Sequence, residues 1–78
     1  MIEKIFIIDF LDNVIFESPE SHDWNFDTLF KIAKTKCINN CKTPNIRYKE
    51  HLKTENDYYK LLATTTDDNV IVGAIIKE

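Results

Sequence analysis

The 78-residue chain holds one glycine, two prolines, one methionine and one tryptophan. A single glycine excludes a glycine-rich phosphate loop, and Gly73 lies inside an apolar run rather than between a strand and a helix. Two cysteines, Cys37 and Cys41, are too few for a disulfide scaffold. Arginine is nearly absent, with nine lysines to one arginine, and alanine is scarce while isoleucine and asparagine abound. Those biases match an AT-rich bacterial, phage or mobile-element genome and carry no message about mechanism. No apolar run is long enough to span a membrane, because Ile5–Leu11 is broken by Asp9. No charged start, apolar stretch and cleavage site mark a secretory leader, so the expected location is the cytoplasm, where both cysteines stay reduced.

What is present is a well-furnished core for one small domain over residues 1–78. Hydrophobic residues make up 44% of the chain, with five Phe and three Tyr. Disorder is excluded by that aromatic content and moderate charge. The tetrapeptide Asp-Asn-Val-Ile occurs twice, at Asp12–Ile15 and Asp68–Ile71. Asp and Asn tolerate the positive φ of a tight turn, and Val-Ile opens the returning strand, so a hairpin is expected at each end. Four residues are too few for an internal repeat; shared turn chemistry accounts for them.

Lys4–Leu11 reads as a strand with Phe6, Ile8 and Phe10 on one face, and Val14–Glu17 as its short return. Phe26, Leu29, Phe30, Ala33 and Cys37 recur at helical spacing and predict a helix over Trp24–Ile38. Ser21 or Asp23 is the expected N-cap, and Asn39-Asn40 the expected left-handed stop. Ile46–Lys53 alternates in strand fashion, with a short helix as the competitor. Tyr58–Thr66 and Val70–Lys77 complete the set. The order β-β-α-β-β-β predicts an α+β fold: a mainly antiparallel sheet of about five strands with one helix on one face. The other face must meet water, a partner or a second copy.

Charge is polarised along the chain. Residues 1–30 carry seven acidic side chains and one lysine, whereas residues 31–60 carry eight basic and three acidic ones. The total is −3. Glu17, Glu20, Asp23 and Asp27 gather around Trp24, and an exposed aromatic with a charged rim is the pattern of a protein interface. Arg47, Lys49, His51 and Lys53 form a basic row that, with Tyr48, Tyr58 and Tyr59 nearby, loosely resembles a single-stranded nucleic-acid platform. Regular alternation puts Tyr48 opposite that row, and the net charge opposes phosphate binding.

Catalytic signatures are missing. Cys37 and Cys41 stand four apart, but zinc needs two further ligands and only His22 and His51 remain. Asp9 within an apolar run reads either as a titrating catalytic acid or, more simply, as a carboxylate on the wetter face or paired with a lysine. Asp67-Asp68 lacks the distal glutamate of a calcium loop. The expectation is a non-enzymatic protein without cofactor or metal. It binds a larger host protein or complex and covers a surface, as an inhibitor encoded by a phage or mobile element would. The alternatives are a nucleic-acid-associated module using Arg47–Lys53 and a structural homodimer.

Overall fold

The computed structural model describes residues 1–20 and 23–78; Ser21, one of the two expected N-caps, and His22 lie outside the described residues. Five strands and one helix follow in the order β1 (Ile2–Ile8), β2 (Val14–Ser18), α1 (Trp24–Asn40), β3 (Arg47–Lys53), β4 (Tyr58–Thr65) and β5 (Ile71–Lys77). The strands form one antiparallel sheet ordered β2-β1-β5-β4-β3. This is the α+β arrangement expected from the sequence. Hairpins join β1 to β2, β3 to β4 and β4 to β5, while α1 carries the chain from one edge strand to the other.

The last strand is the central one. β5 lies between β1 and β4, with Phe6 opposite Gly73 and Gly73 opposite Ala63. Its uninterrupted apolar sequence suits that position, because a central strand has neighbours at both edges and its inner residues Ile71 and Ile75 are fully buried. The N- and C-terminal strands are tied end to end, with the Lys77 amide donating to the Met1 carbonyl at 2.9 Å.

The helix begins where the sequence places it. Asp23 is the N-cap, its carboxylate accepting the Phe26 amide at 2.9 Å. The expected stop at Asn39-Asn40 is corrected: both residues are helical and the cap is Cys41, with φ −110°. Asn40 instead donates from its side chain to the Lys36 carbonyl at 2.7 Å. Cys41 is fully buried, so core packing draws the chain past the asparagines. The Thr65 hydroxyl then donates to the Cys41 carbonyl. The left-handed residue of this region is Asn45, after Pro44.

β1 also differs from the expected Lys4–Leu11. It ends at Ile8, and Asp9 leaves the strand to organise the turn. Its Oδ1 accepts the amides of Leu11 at 2.8 Å and Asn13 at 2.9 Å, and its Oδ2 accepts the Asn13 side chain at 2.9 Å. Those bonds, the Asn13 side chain first, hold the Asp9 carboxyl below its ordinary value. Of the two structural placements expected for Asp9, the wetter position is the one it takes, and turn bonds stand where a lysine was the alternative. The two Asp-Asn turns use different residues in the left-handed region: Asp12 (φ 67°) in the first, and Asn69 (φ 62°), which follows the second Asp and is its Asn.

The core lies between α1 and the inner face of the sheet. Phe6, Phe26, Leu29, Phe30, Ala33, Cys37, Leu61, Ile71 and Ile75 fill it. Phe6 meets Phe30 edge to face, with ring centroids 5.2 Å apart. Lys4 is a buried charge here, unforeseen in the sequence. Only 1% exposed, it pairs with Glu17 across the β1–β2 hairpin at 2.6 Å and sits 4.3 Å from the Phe30 ring centroid.

Candidate protein interface

Strand alternation sends every second residue to the face away from α1, and cross-strand register decides which of them meet. Phe16 pairs with Ile7, and Ile7 with Val72; Ile5 pairs with Ala74, and Ala74 with Leu62. These six side chains and Ile76 make an apolar field across four strands. A polar surface is the ordinary state of an uncovered antiparallel face. Here Ile5, Phe16 and Leu62 remain 42%, 49% and 37% exposed.

The field is bounded on one side by the basic row. Leu62 pairs with Lys49 and Thr64 with Arg47, so β3 sends Arg47, Lys49, His51 and Lys53 to the same outer face. A groove of about 450 Å³ runs from Arg47 and Lys49 across Leu62 and Ala74 to Ile5 and Ile2. Among the described residues neither Arg47 nor Lys49 has an ion-pair partner. His51 is bonded to Glu78 at 2.8 Å, and the Lys53 ammonium lies 5.5 Å from the Tyr58 ring centroid.

Tyr48 falls on the opposite, inner face, as regular alternation predicts. Its hydroxyl donates to Glu50 at 2.7 Å. Burial and that carboxylate push the phenol well above its usual range, while the same bond, aided by Lys36, lowers Glu50. Tyr59 is buried on the inner side against Phe26. Of the three tyrosines only Tyr58 shares the outer face with the basic row.

The acidic candidates are distributed differently. Glu17 points to the inner face and is held by Lys4, and Asp23 is occupied in capping α1. Glu20 is exposed beyond β2, Asp27 is half-buried in the first helical turn, and Trp24 is 79% exposed. Trp24 borders a shallow depression of about 160 Å³ with Thr28, Ile32 and the β3–β4 turn, away from the outer field.

Cys37, on the buried face of α1, and Cys41, its C-cap, are free, buried thiols with a hydrogen bond between their side chains. Burial, with Cys41 as the second cause, pushes the Cys37 thiol up to about 12. His51 projects from the far side of the sheet and does not reach them. No metal-ligand cluster of three or more His, Cys, Asp or Glu exists among the described residues. No described helix is long and apolar enough to cross a membrane.

The sequence predicts an open sheet face that must meet water, a partner or a second copy, but it does not name the residues of the outer field, because they come from four strands. The available signal was the lack of polar alternation in 71–76 and at Ile5 and Ile7. No protein family, curated protein or solved structure matches this chain.

Proposed function

We propose that this chain is a small non-enzymatic protein-binding module that covers a surface of a larger protein with its outer sheet face. One observation carries the reading: an apolar field of Ile5, Ile7, Phe16, Leu62, Val72 and Ala74 on the face that α1 leaves open. Contiguous exposed apolar surface rimmed by charge is the signature of an interaction site. The composition suits a phage or mobile element, in which such a module would block a host complex in the cytoplasm. The acidic group around Trp24 becomes the second surface, since Glu17 and Asp23 already have internal partners.

A nucleic-acid-associated module is the second reading. It is favoured by the emergence of Arg47, Lys49, His51 and Lys53 on one face with Tyr58. Against it, the outer neighbours of the row on β4 are Tyr58, Lys60, Leu62 and Thr64, a single aromatic where stacking along a strand needs several.

The test is capture from a host extract with three baits: the unaltered protein, Leu62→Glu, and Trp24→Ala with Glu20→Lys. A partner kept by the Trp24 variant and lost by Leu62→Glu supports the reading. Loss with the Trp24 variant alone moves the interface to the acidic group and defeats the proposed face. Nuclease-sensitive capture promotes the nucleic-acid reading.

A further inference from the structure

We infer that the outer face receives a single acidic amphipathic helix of the partner protein. The inference rests on the protein-binding reading and specifies the chemistry of what is bound. Three observations converge on it.

The first is width. The groove reaches from β3 across β4 and β5 to β1. Three inter-strand steps measure roughly 14 Å, and a helix with its side chains is about 10–12 Å across. On the inner face of the same sheet, a helix of this chain already packs in that way.

The second is charge. Arg47 and Lys49 edge the groove without an ion-pair partner among the described residues. A helix whose apolar stripe lies on Ile5, Leu62 and Ala74 sets its flanking residues beside β3. Carboxylates there complete two ion pairs, whereas lysines would face two like charges at close range.

The third weighs against a second copy. A centred, aligned face-to-face pair has two arrangements. One stacks the basic β3 row on its own image. The other lays β3 over β2, whose outer residues are Phe16 and Ser18, with no carboxylate. Neither supplies the missing charge.

The test uses the full chain and two synthetic helical peptides of about 18 residues, or five turns. Both carry a leucine stripe; one is flanked by glutamates and the other by lysines. Binding is followed by fluorescence polarisation, and the contact is mapped by amide chemical shifts of the isotopically labelled protein. The glutamate peptide is expected to bind roughly 2- to 30-fold tighter than the lysine peptide, the effect of two rim ion pairs. The shifts should fall on β1, β5 and β4, and salt should weaken binding. Arg47→Glu with Lys49→Glu, both exposed and harmless to folding, should invert the preference. Equal affinity for the two peptides, or a preference untouched by the charge reversal, overturns the acidic class while outer-face shifts leave the protein-binding reading intact. Shifts at Trp24 instead, or no binding of either peptide, overturn the inference, and host capture then judges the broader reading separately. Tighter binding of an oligothymidylate to the same row, or a dimer that excludes both peptides in sedimentation, overturns it in favour of nucleic acid or a second copy.

Discussion

Gly73→Ala is expected to destabilise the fold by about 2 kcal/mol, although alanine is ordinarily better than glycine within a strand. Gly73 lies on central β5 directly opposite Phe6 on β1. The Phe6 ring folds over the glycine, so a Cβ there would overlap three of its ring carbons. The ring has nowhere to retreat, because Phe6 is fully buried and Phe30 meets it edge to face at 5.2 Å. Inserting a carbon into a packed core costs about 1–3 kcal/mol, and three simultaneous overlaps put this case near the upper end. Reduced freedom of the unfolded chain returns roughly 0.5–1 kcal/mol. The remainder, about 2 kcal/mol, is a large share of the ~4–12 kcal/mol a domain of this length commands. At ~4–8 °C per kcal/mol the midpoint should fall by roughly 8–16 °C. Far-UV circular dichroism during urea and thermal unfolding is the assay; Trp24 is 79% exposed and reports poorly on the core. Phe6→Leu removes the distal ring carbons and should cancel the effect, so that the double variant is more stable than additivity predicts by about 2 kcal/mol. A Gly73→Ala protein within ~0.5 kcal/mol of the original, or a strictly additive double variant, refutes the packing argument.

Two further perturbations probe the interior. Glu17→Ala leaves the buried Lys4 ammonium without its 2.6 Å partner and should cost about 2–4 kcal/mol, whereas Lys4→Met should be neutral within ~1 kcal/mol or stabilising. Urea midpoints decide; if the methionine variant is the more damaged, the buried pair is not what Glu17 serves. Cys37, with its thiol pushed up to about 12 by burial, should resist alkylation at pH 8 in the native state and react freely in denaturant. Its raised value also works against the fold in alkali. The contribution is complete below the unfolded thiol's ordinary value and is lost as pH climbs from there towards the native one. Rapid native-state labelling of Cys37 would contradict its placement on the buried face of α1.

Local chemistry was readable residue by residue. The apolar spacing of Phe26, Leu29, Phe30, Ala33 and Cys37 predicted the helix, because one helical face turns those positions to one side. Asp23 announced its start because a short carboxylate can reach the free amide of Phe26. Both Asp-Asn pairs marked hairpin turns. Boundaries slipped where a tertiary contact outweighed local preference: burial of Cys41 carried the helix beyond Asn39-Asn40, and the Asp9 carboxylate ended β1 early. Lys4 gave no warning. Its neighbours Glu17 and Phe30 are distant in sequence, and an ammonium in a strand ordinarily points to water.

The sequence by itself determined the helix, the other four strands, their order and the α+β class, since these follow from periods of two or 3.6 residues and from turn chemistry, and it left Ile46–Lys53 between a strand and a short helix. Only the tertiary structure decided the strand order β2-β1-β5-β4-β3. That order made the last strand central and assembled Ile5, Leu62, Val72 and Ala74 into one field beside Arg47 and Lys49. It also turned Glu17 inward to Lys4, away from the acidic surface to which its sequence neighbours assigned it. The physical reason is that a strand's own pattern states which side chains share a face, while the neighbours across the ladder are chosen by pairing between segments far apart in the chain.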